Sequence, residues 1–146
     1  MKDLRQFYIN GQWVDPIASR DLNVENPSTE ELVATISLGA AADVDAAVAA
    51  AKAAFPLYSQ VSVEERIALM EKLLQIYKDR YDEMAMAISV EMGAPISFAA
   101  AAQADCGRGH INAAIESLKT FEFERQVGNT RIVREPIGVC GFITPW

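Results

Sequence analysis

The sequence predicts an α/β fold in which short strands come first, four helices follow, and a buried strand ends the chain. Three observations support this class: an Asn-Gly turn between β-forming residues near the start, a change of apolar period from two to about 3.6 at Asp43, and an apolar run over residues 137–143. The chain has 146 residues, 51% of them hydrophobic. This length falls within the usual single-domain range, and the composition supports a globular core rather than disorder.

Turn chemistry and alternation predict the first strands. Asn10 and Gly11 lie between two short β-forming runs, residues 7–9 and 12–14. Asn-Gly favours a type I′ hairpin, because both central positions of that turn need positive φ. A second turn, at residues 26–29, leads into residues 31–37. There Leu32, Ala34 and Ile36 fall on one face of a strand, and Val33 and Thr35 fall on the other. We therefore predict a hairpin and a further strand before the first helix.

Helical periodicity predicts the first two helices. The first begins at Asp43 and ends near Pro56, with acidic residues at the positive end of its dipole. The second opens at Ser62, because Ser62 and Glu65 have the spacing of a capping box. The predicted buried faces are Val44, Ala47, Val48, Ala51 and Phe55 in the first helix, and Ile67, Met70, Leu74 and Tyr77 in the second.

Two more helices are predicted before residue 124. One spans residues 82–92 and stops at Gly93. It carries Met84, Ala85 and Ile88, and methionines at helical spacing indicate core filling rather than a binding surface. The other spans residues 97–123 and contains Gly107 and Gly109. Each glycine costs about 1 kcal/mol relative to alanine in a helix interior, so close packing against another helix is expected there.

Two strands are predicted after the helices. Residues 130–135 alternate in polarity and have no evident partner among residues 1–129, so we expect them to pair with a neighbouring subunit or with a later strand. Residues 137–143 form the apolar run, and such runs are typical of strands covered on both faces. In parallel α/β sheets the ligand crevice lies beyond the carboxyl ends of the strands. Thr144, Pro145 and Trp146 therefore lie where a ligand site is expected to begin.

Charge and composition argue against several functional classes. The formal net charge is −7, without a local cluster of Lys or Arg, so nucleic acid is not an expected partner. The start of the chain does not resemble a signal peptide, and no run approaches the roughly 20 apolar residues of a membrane helix. The two cysteines lie far apart in sequence. This pattern suits a reducing compartment, and we expect a cytoplasmic protein with no membrane partner.

One pair and two single residues are candidates for a catalytic or metal-binding role. Cys106 and His110 lie four residues apart on one predicted helix, but zinc needs at least three protein ligands, so no metal site is predicted. Cys140 lies inside the predicted strand, where burial is expected to make it unreactive. Glu91 offers a carboxylate, but its place at a helix end argues against a general base. No catalytic residue is therefore predicted within these 146 residues.

Five stretches together carry a family resemblance. Residues 135–146, with the sequence Glu-Pro-Ile-Gly-Val-Cys-Gly-Phe-Ile-Thr-Pro-Trp, resemble the segment of NAD(P)-dependent aldehyde dehydrogenases that ends in Pro-Trp. Four others agree in order: Phe-Tyr-Ile-Asn-Gly-Gln-Trp-Val at 7–14, Asn-Pro-Ser-Thr-Glu at 26–30, Asp-Val-Asp-Ala-Ala-Val at 43–48, and Glu-Met-Gly-Ala-Pro at 91–95. The last departs from the family's Glu-x-Gly-Lys-Pro by an alanine. The chain thus resembles the amino-terminal part of such an enzyme.

The resemblance implies a fold, a cofactor and a reaction. The fold would be the amino-terminal part of an aldehyde-dehydrogenase-like fold: small hairpins, four helices and the first strand of a Rossmann-like cofactor-binding sheet. Residues 1–119 and 137–146 would belong to an incomplete cofactor-binding domain, and residues 120–136 would start the oligomerisation arm. The implied reaction oxidises an aldehyde to a carboxylic acid with NAD or NADP.

The resemblance also implies which residues touch the cofactor and which groups lie elsewhere. Ile143, Thr144, Pro145 and Trp146 would line the nicotinamide-ribose side of NAD or NADP. The nucleophilic cysteine, the base glutamate and the oxyanion asparagine would follow Trp146, so this piece alone is expected to be inactive. The expected partners are a small aldehyde and further copies of the chain, as a homodimer or homotetramer. The alternative is a naturally truncated, non-catalytic interaction module.

Overall fold

The computed structural model describes residues 2–144, which form small sheets followed by a helical layer. The strands are β1 (Lys2–Leu4), β2 (Phe7–Ile9), β3 (Gln12–Val14), β4 (Asp21–Glu25), β5 (Leu32–Ser37), β6 (Glu124–Val127) and β7 (Thr130–Val133). The helices are α1 (Ala41–Tyr58), α2 (Val63–Asp79), α3 (Tyr81–Met92), α4 (Ile96–Phe98) and α5 (Asp105–Thr120). A π-helical segment, Ala99–Ala104, joins α4 to α5. The predicted mixture of strands and helices is confirmed.

The predicted Asn-Gly hairpin is confirmed. β2 and β3 pair antiparallel, and Asn10 and Gly11 have φ values of 53° and 77°. Positive φ at both positions is what a type I′ turn requires. Tyr8 and Trp13 lie opposite each other with ring centroids 5.2 Å apart, which adds a cross-strand aromatic contact.

The predicted strand at residues 31–37 is the middle strand of a three-stranded sheet. β5 pairs parallel with β1 and antiparallel with β4, so the order is β1-β5-β4. The alternation in β5 predicted this strand, whereas β1 and β4 were not predicted. β1 has only three residues, and the exposed pattern of β4 is a weak signal. The sheet context, rather than local alternation, therefore decides that these two segments are strands.

Helix α1 differs from its prediction in two respects. It continues two residues past Pro56, because the proline lies in the last turn and removes only one intrahelical donor. Its predicted buried face is largely exposed: Val48 and Phe55 are half-buried, whereas Val44 is 59% exposed. The described residues place mainly β2 beside α1, which leaves most of this face without a neighbour.

The predicted capping box at the start of α2 is confirmed. Ser62 Oγ accepts from the Glu65 amide at 3.1 Å, and the Glu65 carboxylate accepts from the Ser62 amide at 2.9 Å. The second bond lowers the pKa of Glu65 from its usual value. The predicted face of α2 also points inward, because Leu74 is buried and Tyr77 is half-buried. α2 packs against α5 through this face.

We expect Ser62→Ala to lower the free energy of unfolding by about 1 kcal/mol, because the Glu65 amide loses its acceptor. Urea denaturation of the complete protein measures this change through the transition midpoint. Ser117→Ala, which removes an exposed serine hydroxyl from a helix interior rather than from a cap, serves as the control. An unchanged midpoint for Ser62→Ala would show that the cap does not contribute.

Helix α3 stops where predicted, but its methionines lie on the surface. Gly93 adopts φ 75° and a Cβ there would come within 2.7 Å of Pro27, so both backbone and packing require glycine. Ala85 is buried, as expected for the predicted face. Met84 and Met86, however, are 42% and 54% exposed. The prediction that the α3 methionines fill a core is therefore wrong for the described residues.

The fourth predicted helix, expected over residues 97–123, is continuous helix over residues 96–120 and includes the π-helical segment. The π segment was not predicted. Two carbonyls of this segment accept hydrogen bonds from tyrosines. Tyr77 Oη donates to the Ala104 carbonyl at 2.8 Å, and Tyr81 Oη donates to the Ala100 carbonyl. A Cβ on Gly107 would lie 2.5 Å from Tyr77 Oη. The expected close helix packing is thus confirmed at Gly107.

Strand β7 has a partner that was not predicted. It pairs antiparallel with β6 through a tight turn at Gly128, which adopts φ 58°. The expectation that residues 130–135 lack a partner within residues 1–129 is therefore wrong. The β6 sequence, Glu-Arg-Gln-Val, has little alternation, so its strand character depends on the turn and on pairing.

The final predicted strand is not formed among the described residues. Residues 137–143 have no regular secondary structure, and Ile137 and Phe142 are 92% and 91% exposed. Cys140, expected to be buried, is exposed as well. A strand needs a neighbour for its backbone hydrogen bonds, and no described residue supplies one to this segment. The apolar pattern alone could not show whether that neighbour lies within these residues.

The core of the described chain is small. Its buried hydrophobic residues are mostly alanines, and the only larger ones are Leu74 and Ile115, which lie on α2 and α5. The packing of α2 against α5 and of α3 against the π segment therefore forms its centre. Within residues 2–144, no helix has both the length and the apolar character needed to cross a membrane.

Candidate functional site

The predicted cofactor-site residues lie at the carboxyl end of the chain. Ile143 is fully exposed and Thr144 is also exposed. Pro145 and Trp146, the other two predicted residues, lie outside the described residues. The described part of this site therefore consists of two residues whose side chains are open to a ligand or to further protein.

The start of this segment is fixed to the end of the helical layer through Arg134. The Arg134 amide donates to the Phe123 carbonyl, and its guanidinium donates to the Glu122 carbonyl, both at 2.8 Å. The guanidinium also lies 5.2 Å from the centre of the Phe121 ring, in cation–π geometry. Beyond it, Gly138 adopts φ 115°, a value that L side chains rarely adopt. Arg134 thus attaches the start of the carboxyl-terminal segment to the end of the helical layer.

The candidate thiols and the candidate imidazole lie on helix α5 and in the segment after β7. Cys106, His110 and Cys140 are all exposed. The Cys140 thiol donates to the Gly138 carbonyl over 3.8 Å, which is a weak contact with no base. Among residues 2–144, no three His, Cys, Asp or Glu side chains come together as a metal would require. Glu91 lies in the last turn of α3, where the sequence placed it.

Asp43 is the buried charge that organises the amino-terminal loops, and its role was only partly predicted. Its carboxylate accepts from the Ile17 amide and from the Ala40 amide, each at 2.8 Å. These bonds lower the pKa of Asp43, that to Ile17 being the larger cause. The sequence indicated a favourable place at a helix start, but only the tertiary fold brings Ile17 to the carboxylate.

Tyr77 and Tyr81 form the polar contacts inside the helical layer. Burial is the main cause that raises the pKa of each phenol above its usual value. Each hydroxyl donates to a carbonyl of the π segment, and the two rings meet edge to face at 6.3 Å. These tyrosines therefore hold the π segment in place through their hydroxyl groups.

An apolar groove of about 570 Å³ lies between the sheet and helices α2 and α3. No sequence pattern predicted it. Its apolar lining includes Leu4 from β1, Leu73 and Ile76 from α2, and Met84 and Met86 from α3. Four charged side chains also line it: Lys2, Arg80, Glu83 and Glu91. Leu73 and Ile76 flank the buried face of α2, so helical periodicity around Leu74 gave no reason to single them out.

Comparison with known proteins identifies the family. The pattern of the Aldehyde dehydrogenase family matches residues 13–146. The chain is 48% identical to a 3-succinoylsemialdehyde-pyridine dehydrogenase from Pseudomonas sp over 147 residues, which covers 100% of this chain and 31% of the relative. The chain thus spans about a third of the length of that curated relative.

Solved structures agree with this match. An aldehyde dehydrogenase from Bartonella henselae superposes with a TM-score of 0.86 at 46% identity, over 89% of this chain and 28% of that one. A mutant of aldehyde dehydrogenase C from Pseudomonas syringae was solved with NAD⁺ and octanal. It superposes with a TM-score of 0.89 at 44% identity, over 91% of the present chain and 27% of its own. Both likenesses cover nearly all of the present chain. The chain therefore belongs to the aldehyde dehydrogenase family, of which it represents an amino-terminal segment.

Proposed function

We propose that the complete protein oxidises an aldehyde to a carboxylic acid with NAD or NADP, and that this chain supplies one wall of the cofactor site. The family match over residues 13–146 is the observation that carries the proposal. The similar Pseudomonas syringae structure holds NAD⁺ and octanal, which favours NAD as the cofactor and a small aldehyde as the substrate. NADP remains part of the proposal, because the dinucleotide-binding residues that discriminate the two are expected elsewhere.

The proposed cofactor contacts are Ile143, Thr144, Pro145 and Trp146. Ile143 and Thr144 are exposed, and no hydrogen bond within the described chain occupies their side chains. Proline fixes φ and removes a donor, so Pro145 would hold the turn while neighbouring carbonyls meet a ribose or carboxamide. The carboxyl end of a strand in a parallel sheet opens on the ligand crevice, which supports this placement once a neighbouring strand pairs with residues 137–143.

The chemistry would be divided between this chain and the remainder of the protein. Bound NAD supplies the hydride acceptor. The residues of this chain would bind and orient it, and the Cys140 thiol contacts a backbone carbonyl rather than a base. The nucleophilic thiolate, the base carboxylate and the oxyanion donor are proposed to follow residue 146.

We also propose the domain division and the assembly that the family resemblance implies. Residues 1–119 and 137–146 would belong to the cofactor-binding domain, and residues 120–136 would begin an oligomerisation arm. The exposed β6–β7 hairpin within this arm supports the second assignment, because both of its outer edges are open to further strands. A homodimer or homotetramer in the cytoplasm is the proposed state.

A crystal structure of the complete enzyme with NAD bound tests the proposed cofactor contacts. We expect at least one atom of residues 143–146 within about 4.5 Å of the nicotinamide or its ribose, the usual contact limit. Residues 10–11, in the exposed turn of the first hairpin, serve as the internal control and should remain distant. If residues 143–146 all lie beyond that limit, this end of the chain does not line the cofactor.

A further inference from the structure

The chain exposes far more surface than a self-contained protein of its mass. Its accessible surface is 11058 Å². A folded monomer of 16.0 kDa is expected to expose about 7,400 Å². The excess of about 3,700 Å² exceeds several-fold the roughly 800 Å² that each partner contributes to a standard stable interface. Part of this excess lies in the extended segment after β7, and part lies on the helices.

The apolar groove is the best-defined part of this excess surface. Among its lining residues, Leu4, Leu73 and Met86 are each about half exposed, at 52%, 51% and 54%. Charged residues line it as well, and the exposed side chains of Arg80 and Glu83 form an ion pair of 2.8 Å there. Apolar side chains accompanied by exposed charged ones are typical of protein–protein interfaces. Contiguous exposed apolar surface of this kind indicates an interaction site.

We propose that this groove, together with Ile137 and Phe142, docks the polypeptide that follows residue 146 in members of the family, and that the two pieces assemble even without a covalent link. The proposal rests on the proposed function, since it takes its occupant from the aldehyde dehydrogenase chain. The chain covers 31% of its curated relative and 27–28% of the two solved structures, so most of a family chain is available as the occupant.

A second copy of this chain is the less suitable occupant. The exposed residues 137–143 need a strand as their neighbour, because their backbone groups have no partner among the described residues. A polypeptide that supplies both a strand and an apolar surface satisfies both regions at once.

Mixing two separate pieces tests the docking. One piece is this chain, and the other is the carboxyl-terminal part of the Pseudomonas 3-succinoylsemialdehyde-pyridine dehydrogenase, starting after the position that aligns with residue 146. The same two pieces joined in one polypeptide form the covalent control. Size-exclusion chromatography with light scattering measures association, titration calorimetry measures its affinity, and a separate titration measures NAD binding.

Leu73→Glu places a charge in the lining of the groove, and Met86→Glu does so from α3. We expect each to weaken association at least about thirtyfold, the loss typical of a central interface residue. Ala68→Glu is the matched control, because Ala68 is exposed on the other flank of the buried face of α2. It should change the affinity by less than about threefold. Circular dichroism of each variant alone should match that of the parent chain, since the replaced side chains are partly exposed already.

The outcomes separate this proposal from the proposed function. A one-to-one complex that is weakened by Leu73→Glu and Met86→Glu but not by Ala68→Glu supports the docking. Pieces that stay apart at about 100 μM, well above the dissociation constants of specific complexes, overturn it, whether or not the joined polypeptide binds NAD. Self-association that Leu73→Glu abolishes, without binding of the second piece, overturns the choice of occupant. A complex that forms while neither it nor the joined polypeptide binds NAD leaves the docking in place and contradicts the proposed function.

Discussion

No aldehyde oxidation above the uncatalysed rate is expected from this chain alone with NAD or NADP. The reason is chemical: a thiol attacks a carbonyl efficiently only when a base or a lowered pKa activates it and when donors stabilise the oxyanion. Cys106 and Cys140 are exposed, and within residues 2–144 the Cys140 thiol has a polar contact only with the Gly138 carbonyl. An assay that follows NADH absorbance with octanal as the substrate measures this directly.

Cys106→Ser and Cys140→Ser are the controls for that experiment. Both variants should give the same background as the parent chain. Turnover that disappears in Cys140→Ser would contradict the expectation and would make Cys140 a nucleophile. The joined polypeptide described above, assayed with the aldehyde after which its Pseudomonas relative is named, should show activity, because on the proposed function it contains the nucleophile and the base.

The largest expected effect on stability comes from Gly107→Ala. The added Cβ would lie 2.5 Å from Tyr77 Oη and 2.8 Å from its Cζ, so either the ring or helix α5 must move. Moving the ring also strains the hydrogen bond from Tyr77 to the Ala104 carbonyl. Overpacking of this kind costs about 1–3 kcal/mol, and this loss exceeds the gain of up to about 1 kcal/mol that alanine brings to a helix interior.

Gly109→Ala is the matched control, two residues along the same helix. No atom lies within 4 Å of a Cβ at Gly109, so only the helix propensity changes. We expect this variant to be more stable by roughly 0.5–1 kcal/mol. Urea denaturation of both variants gives the comparison. Equal shifts of the two midpoints in the stabilising direction would show that α5 does not pack on Tyr77 as described.

Local sequence signals predicted the elements whose causes are themselves local. The Asn10-Gly11 turn needs positive φ, and the structure has it. Ser62 and Glu65 satisfy each other's backbone amides within one helical turn. Gly93 ends α3 because only glycine readily adopts its conformation. Each of these features depends on residues close together in sequence, which is why the sequence alone revealed them.

Other features depend on residues that are distant in sequence. The π segment is held by Tyr77 and Tyr81, which lie 27 and 19 residues before the carbonyls that they contact. The groove combines side chains from a strand and two helices. No single periodicity contains either pattern, so neither was predicted. The Asp43 carboxylate likewise reaches an amide 26 residues earlier.

The sequence by itself determined the family, the Asn10-Gly11 hairpin, the start of α2 and the end of α3. It also marked residues 137–143 as apolar, because burial preference is a property of side chains. The tertiary structure decided whether that preference is satisfied. Ile137 and Phe142 are exposed, because a strand forms only when another backbone pairs with it, and none of the described residues does so.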